Sequence, residues 1–253
     1  MIREENMSAY RGLLPVLSFT LLLFLASCQE QSSPPDTASY LLAVNAQDEL
    51  WWVSLSTKPD IKVGPVHSDS QRVTGVFDLA WDGSSSTAWA VGDAGYTLYR
   101  LEVASGRATR VGSTGAFINA LAVDPSSGRL FGLGGSRVYE VNPETGSAAS
   151  IQGIQLSCGS SGDVAWVEGA YLLVTLDCGD PSGDVLAKVD FSTKQVLRVG
   201  TIGFSGVYGL SYKNRVLYGA TAGGQLIRID EQTGLGTLVR NLPFGVYGSQ
   251  SLP

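Results

Sequence analysis

Apolar residues in this chain recur at every second position in short runs, and four of those runs resemble one another. Each run starts at a small or aromatic residue and continues as an alternating segment. The four runs are Gly75–Trp81, Phe117–Val123, Gly162–Trp166 and Gly206–Tyr212. Side chains of a strand point alternately to its two faces, so this pattern predicts β-strands. Amphipathic helical periodicity is absent.

The four runs are evenly spaced along the chain. Aligned on Leu79, Leu121, Val164 and Leu210, they lie 42, 43 and 46 residues apart, and a fifth, partial copy places Ser249 another 39 residues on. A repeat of about 40 to 45 residues built from short strands is typical of β-propeller blades. Each full repeat also contains three further short strands, so each one predicts a four-stranded blade.

The N-terminal strands lack the first strand of a blade. Three strands are predicted at Tyr40–Val44, Glu49–Leu55 and Ile61–Val66, while the C-terminal segment Phe244–Pro253 starts a repeat and then stops. We therefore expect the C-terminal strand to pair with these three strands, which closes the ring. The prediction is an all-β, five-bladed β-propeller over residues 40–253. It broadly resembles propeller-repeat proteins, including the YVTN and PQQ-like repeat families.

Side-chain size alternates across the first strand of each repeat, with bulky residues on one face and small ones on the other. We expect the bulky face of one blade to pack on the small face of the next, which makes Trp81 and Trp166 packing residues. A turn after the third strand recurs at Asn142, Asp190 and Asp230. These polar residues are predicted to bond the backbone of their own turns.

The first 39 residues carry a different pattern. Leu13–Ala26 is a 14-residue run without charge, shorter than the about 20 residues of a membrane-spanning helix and typical of a secretory signal. The following Leu25–Cys28 resembles the lipobox of bacterial lipoproteins. That resemblance implies removal of residues 1–27, acylation of Cys28 and an extracytoplasmic protein anchored to the membrane, the outer one if the cell has one. Residues 28–39 predict a flexible tether.

The net charge and the number of cysteines limit which partners and covalent links the chain can have. The chain has a net charge of −6 and no basic stripe, which argues against nucleic acid. Besides Cys28, two cysteines remain, and an oxidising compartment favours a Cys158–Cys178 disulfide over two separate buried thiols. The glycine-rich Gly132–Ser136 segment lacks a lysine and a following helix, so no cofactor is predicted. We expect a monomer.

The mouth of the central channel is the best candidate site, because the first strand of every blade lines the axis. The predicted ligand-binding residues are Asp78, Asn119, Asp163, Tyr208 and Tyr247, with Phe117, Phe204 and Phe244 nearby. Aromatic rings with a few polar groups suit an envelope glycan or another small polar ligand. Alternatively, the aromatic rings plug the hole and the two aspartates satisfy backbone donors. A protein partner could instead dock on the blades.

No catalytic motif is found. His67 is the only histidine, which leaves no good Ser-His-Asp triad or zinc cluster. One enzymatic alternative is a glycoside hydrolase that uses Asp78 and Asp163 as its two carboxyl groups. The loops between the predicted strands are too short to form a deep catalytic cleft, which favours a binding module over an enzyme. The cluster Asp177, Asp180 and Asp184 is a weak candidate for a calcium site. Alternatively, these residues belong to a turn that has only a structural role.

Overall fold

The computed structural model describes residue 35 and residues 37–69, 71–81, 86–167 and 171–251. The predicted signal peptide, the lipidation site Cys28 and most of the predicted tether lie outside these ranges. At the end of that tether, Thr37–Ser39 forms one turn of 3₁₀-helix, and its last carbonyl accepts the N–H of Leu55. No helix in the described ranges is long and apolar enough to cross a membrane.

The described residues form 22 strands, which begin directly after the short helix. The first three are β1 (Tyr40–Asn45), β2 (Glu49–Ser54) and β3 (Ile61–Pro65). A two-residue hairpin follows, made of β4 (His67–Ser68) and β5 (Gln71–Arg72).

Four consecutive blades come next, each an antiparallel sheet of four strands. Blade 1 contains β6 (Asp78–Trp81), β7 (Thr87–Gly92), β8 (Thr97–Glu102) and β9 (Ala108–Ser113). Blade 2 contains β10 (Ala120–Val123), β11 (Leu130–Gly134), β12 (Arg137–Val141) and β13 (Ala148–Gln155). Blade 3 contains β14 (Gly159–Val167), β15 (Tyr171–Asp177), β16 (Val185–Asp190) and β17 (Gln195–Thr201). Blade 4 contains β18 (Val207–Lys213), β19 (Val216–Thr221), β20 (Gln225–Ile229) and β21 (Gly236–Asn241).

The fifth sheet, here called the composite blade, uses both ends of the described chain. Its last strand, β22 (Val246–Ser251), pairs antiparallel with β1, and the strand order is β22-β1-β2-β3. Leu42 lies opposite Gln250, and Val44 lies opposite Gly248. The predicted all-β, five-bladed propeller is therefore confirmed, with four strands in every blade.

Each pair of adjacent blades shares an apolar cluster, and the expected packing of bulky on small side chains is confirmed. Leu121 of blade 2 shares a cluster with Ala80 of blade 1, and Leu210 of blade 4 shares one with Ala165 of blade 3. Trp166 stacks on Phe131 at 5.3 Å between ring centroids. Burying one such leucine stabilises the fold by roughly 1.5–3 kcal/mol, so the blade interfaces hold the ring together.

The recurring turns also have the predicted structural role. Asn142 Oδ1 accepts the N–H groups of residues 144 and 145 at 2.8 and 3.0 Å. Asp230 Oδ1 accepts two N–H groups of its own turn at 2.9 and 2.8 Å, and Asp190 does the same. The predicted Cys158–Cys178 disulfide is present and joins the start of β14 to the end of β15.

Candidate functional site

Asp78 and Asp163 belong to the inner strands of blades 1 and 3, and both are completely buried. Asp78 Oδ1 accepts the N–H of Leu79 at 2.7 Å. Its Oδ2 accepts the N–H of Leu121, in the inner strand of blade 2, at 2.6 Å. One carboxyl group therefore holds the inner strands of two adjacent blades.

Asp163 serves the other three blades. Its Oδ1 accepts the N–H of Val164 at 2.5 Å, and its Oδ2 accepts those of Leu210 and Ser249, the latter at 3.1 Å. The five donors of the acid pair are the five positions on which the repeats align, namely Leu79, Leu121, Val164, Leu210 and Ser249. Every blade thus donates one inner-strand N–H group to this acid pair.

Small residues make room for the two carboxyl groups. The positions aligned with Asp78 and Asp163 in the other blades hold Ala120, Gly209 and Gly248. A Cβ atom on Gly248 would lie 2.5 Å from the Cα of Asp78. Only side chains of minimal size therefore fit beside the acid pair.

The acid pair binds a proton more tightly than isolated aspartates do. Burial raises the pKa of Asp78 well above its ordinary value of 3.8, and the neighbouring charge of Asp163 raises it further. Burial also raises the pKa of Asp163, although hydrogen bonds from Asp78 and the backbone oppose this change. Two carboxyl groups so close together do not readily ionise together, so the pair keeps a proton to a higher pH than an isolated aspartate does.

This burial corrects two predictions about the aspartates. All four oxygens accept backbone N–H groups, and neither side chain is exposed, so Asp78 and Asp163 do not contact a ligand at the mouth. For the same reason they do not flank a glycosidic bond, as the hydrolase alternative requires. The structure supports the alternative that they satisfy backbone donors.

A pocket of about 240 Å³ opens at the channel mouth. It is lined by Phe77, Phe117, Asn119, Gly162, Tyr208 and Tyr247. Phe77 and Gly162 directly precede the two axial aspartates in the sequence, so the pocket and the acid pair are built on the same strands. Four of the eight predicted ligand-binding residues lie here, whereas Phe77 and Gly162 are missing from that prediction although both belong to the aligned runs.

The rings in the pocket meet edge to face. Phe77 and Phe117 have centroids 5.9 Å apart and planes inclined by 70°, while Tyr208 and Tyr247 are 5.6 Å apart and inclined by 82°. A Cβ atom on Gly162 would lie 2.9 Å from the ring of Tyr208. Glycine at this position therefore lets the tyrosine ring lie against β14.

Asn119 is the only amide side chain in the lining of the pocket. Its Nδ2 donates to the carbonyl of Ser160 at 3.2 Å. Its Oδ1 is buried and has no partner among the described residues, and the same holds for Ser160 Oγ. An unpaired buried acceptor is costly, so Asn119 Oδ1 is suited to a hydrogen bond from a ligand.

The structure separates two predicted aromatic residues from the pocket. Phe244 packs on Trp51 of the composite blade at 4.4 Å between ring centroids. Phe204 packs on the apolar cluster shared by blades 3 and 4. Both are therefore interface residues between blades, because their side chains turn into the packing rather than towards the channel.

The three acidic residues of the calcium candidate have separate partners. Asp177 accepts the N–H of its own turn at 3.0 Å, and Asp180 forms a weak ion pair with Arg198 at 3.4 Å. Asp184 accepts the hydroxyl of Ser161 and the N–H of Val207. No group of three or more potential metal ligands occurs among the described residues. The structure therefore does not bring the three acidic side chains together as one group.

No protein-family model and no curated protein matches the sequence. Among solved structures, the chain is similar to a chain in a crystal structure of a nidogen/laminin complex. The TM-score is 0.55 at 11% sequence identity, and the match covers 85% of this chain and 86% of that one. The chain has a β-propeller fold. Identity this low shows the fold alone, so function is argued from the pocket.

Proposed function

We propose that the protein is a lipid-anchored, extracytoplasmic binding module that holds a small ligand in the channel-mouth pocket. The observation that carries this proposal is the pocket itself, whose lining combines four aromatic rings with an unpaired buried amide oxygen. Concave, largely apolar sites with a few polar groups are typical of ligand binding. No lining residue is a carboxylic acid, histidine, cysteine, serine or lysine, so binding is favoured over acid–base or nucleophilic catalysis.

Two features support the location. Cys28 lies at the end of a lipobox-like sequence, and acylation there would tether the propeller to the membrane. The Cys158–Cys178 disulfide fits a compartment outside the reducing cytoplasm.

The ligand is tested with a thermal-shift screen of the full chain in a polyoxyethylene detergent, which carries no sugar. Envelope sugars, glycans and small metabolites are added singly. A ligand at about 100 times its Kd stabilises the native state by roughly 2.7 kcal/mol and raises the Tm. Phe117→Ala should reduce that shift by removing a wall of the pocket. Leu197→Ala, a similarly exposed apolar residue on β17, is the matched control.

Two results would contradict the pocket as the binding site. One is a Tm that no compound changes. The other is a shift that is equal in Phe117→Ala and Leu197→Ala. Either outcome would favour a protein partner docked on the blades.

The anchor is tested by labelling cells with an alkyne fatty acid and isolating their membranes. We expect the wild-type chain to be labelled and membrane-bound, and Cys28→Ser to be neither. The matched control carries Cys158→Ser with Cys178→Ser, which removes the other two cysteines and leaves the labelling intact. Labelling of Cys28→Ser would show that the anchor is assigned wrongly.

A further inference from the structure

The arrangement of the rings restricts what the pocket can hold. Flat stacking platforms suit sugars, whose faces lie against a ring, but here both ring pairs are close to perpendicular, at 70° and 82°. Perpendicular rings form walls around a compact group. The volume of about 240 Å³ lies below the roughly 300–1,000 Å³ of ordinary ligand pockets. The pocket therefore fits one small rounded group better than an extended glycan.

Hydrogen-bonding capacity in the pocket is also low. Apart from the two tyrosine hydroxyls, only the Asn119 side chain offers a polar group. A sugar or a primary ammonium would lose several hydrogen bonds to water on entering, and each unpaired donor is costly. A bulky group without N–H or O–H donors avoids this cost, and a single hydroxyl elsewhere on the ligand is enough for Asn119 Oδ1.

The charges closest to the pocket are negative. No lining residue is charged, but Asp78 and Asp163 directly follow Phe77 and Gly162 of the lining. Both carboxyl groups are buried, so the partial negative charge on their oxygens is weakly screened. Burial raises the pKa of Tyr208, and the nearby Asp184 raises it further.

We propose that the pocket binds a methylated ammonium cation, such as the trimethylammonium group of choline. An aromatic ring attracts a cation over its face through its quadrupole, and four rings line this pocket. The acidic side chains next to the lining residues favour a cation over an anion, and the methyl groups bury apolar area without unpaired donors. This inference rests on the proposed function and names the ligand class of the same site.

The test compares ligands of equal shape and different charge. The full chain in polyoxyethylene detergent is titrated calorimetrically with choline and with its neutral isostere, 3,3-dimethylbutan-1-ol. We expect choline to bind at least about tenfold more tightly than the isostere. The proton resonance of its N-methyl groups should move upfield, because the methyl groups lie over ring faces.

Variants of Tyr208 separate ring attraction from hydrogen bonding. Tyr208→Phe keeps the ring face, and its Kd for choline should stay within about threefold of the wild-type value. Tyr208→Leu keeps apolar bulk without the ring and should weaken binding about tenfold. If Tyr208→Leu does not fold, Phe117→Leu provides the same comparison at a ring that is 38% exposed.

The outcomes distinguish this inference from the proposed function. If choline and its isostere bind equally tightly, the pocket does not select a cation, but the proposal that it binds a small ligand still holds. The same conclusion follows if a sugar binds and loses affinity in Tyr208→Phe. If no small molecule of either panel binds, both proposals fail.

Discussion

At the propeller axis, two aspartates accept five backbone N–H groups and have no contact with solvent. The turn aspartates accept backbone N–H groups as well, but there water can replace a lost partner. Asp230 is exposed, whereas Asp163 is completely buried. The same side chain therefore contributes very different amounts to stability at the two places.

We predict that replacing an axial aspartate by alanine lowers the free energy of unfolding more when it leaves more buried N–H groups unpaired. Asp163→Ala leaves three N–H groups without an acceptor, and Asp78→Ala leaves two. At about 1–3 kcal/mol each, the losses are about 3 kcal/mol or more and about 2 kcal/mol or more. Urea unfolding followed by tryptophan fluorescence measures them. The control Asp230→Ala should cost about 1 kcal/mol or less, and an equal loss in all three variants would refute the argument.

The pKa shifts of the acid pair predict a pH dependence. Both pKa values are raised above 3.8 in the folded chain. From about pH 4 upwards the folded state therefore holds more protons than the unfolded state, and the free energy of unfolding decreases as the pH rises through the folded pKa. Asp78→Asn removes the like charge. We expect the free energy of unfolding of Asp78→Asn, minus that of the wild-type chain, to increase as the pH rises from about 4 to about 8. A stability difference between the two chains that does not change over this range would contradict the raised pKa values.

The sequence predicted where the axial aspartates lie but not what they do. Asp78 and Asp163 were placed correctly in the inner strands, because the repeat fixes their register. Their burial depends on Ala120, Gly209 and Gly248, which face them from three other blades. The signal was present as two acids and three minimal side chains at one repeat position, but in the sequence alone small residues also fit ordinary blade packing.

At the scale of elements, the outer strands of blades 1 and 3 contact the turn of the next blade. Gly112 of blade 1 packs against the turn at Gly146 of blade 2, and Gly200 of blade 3 packs against the turn at Gly234 of blade 4. A Cβ atom on Gly112 or Gly200 would collide with the carbonyl oxygen of the turn threonine. Glycine is needed there for close backbone approach.

We predict that Gly112→Ala and Gly200→Ala each destabilise the fold by about 2 kcal/mol, the usual cost of overpacking. Neither glycine has a positive φ, so the cost comes from the collision alone. Gly159→Ala is the matched control, because this strand glycine has open space around its Cβ position and no positive φ either. Thermal unfolding measures all three. If Gly159→Ala destabilises the fold as much as the other two substitutions, the collision with the turn does not explain their effect.

Blade 4 departs from this pattern where it meets the composite blade. Arg240 follows the same outer-strand irregularity that precedes Gly112 and Gly200 elsewhere. Its guanidinium pairs with Asp60 at 2.5 and 3.0 Å and donates to the carbonyl of Ser54 at 2.9 Å. An ion pair therefore links the last complete blade to the N-terminal strands, 180 residues away in the chain.

At the scale of the whole molecule, the repeat alignment was enough to predict five blades. It could do so because the spacing of the repeats, the alternation of apolar and polar residues and the partial repeats at the two ends can all be read directly from the sequence. The shape of the pocket was not predictable, because ring directions depend on packing. Phe204 and Phe244 lie in the segments that enter β18 and β22, as Phe117 lies before β10, yet they pack between blades, whereas Phe117 stays at the mouth.

The composite blade gives the last prediction. Ser251 of β22 lies opposite Leu41, near the start of β1, so a short Gly/Asn linker from Ser251 to Tyr40 can join the two strands as an ordinary hairpin. A permuted chain that starts at Phe244, crosses this linker and ends at Leu242 keeps every blade. We expect it to be a folded monomer by light scattering, with a Tm close to that of the unpermuted domain.

Its control is the unpermuted domain ending at Leu242, which lacks β22. That chain exposes the edge of β1 and removes the Ser249 N–H group from Asp163. We expect it to aggregate or to be digested rapidly by protease, because an unpaired inner strand leaves both a sheet edge and the channel open. If the truncated chain were as stable as the permuted one, pairing of β22 with β1 would not be what holds the ring together.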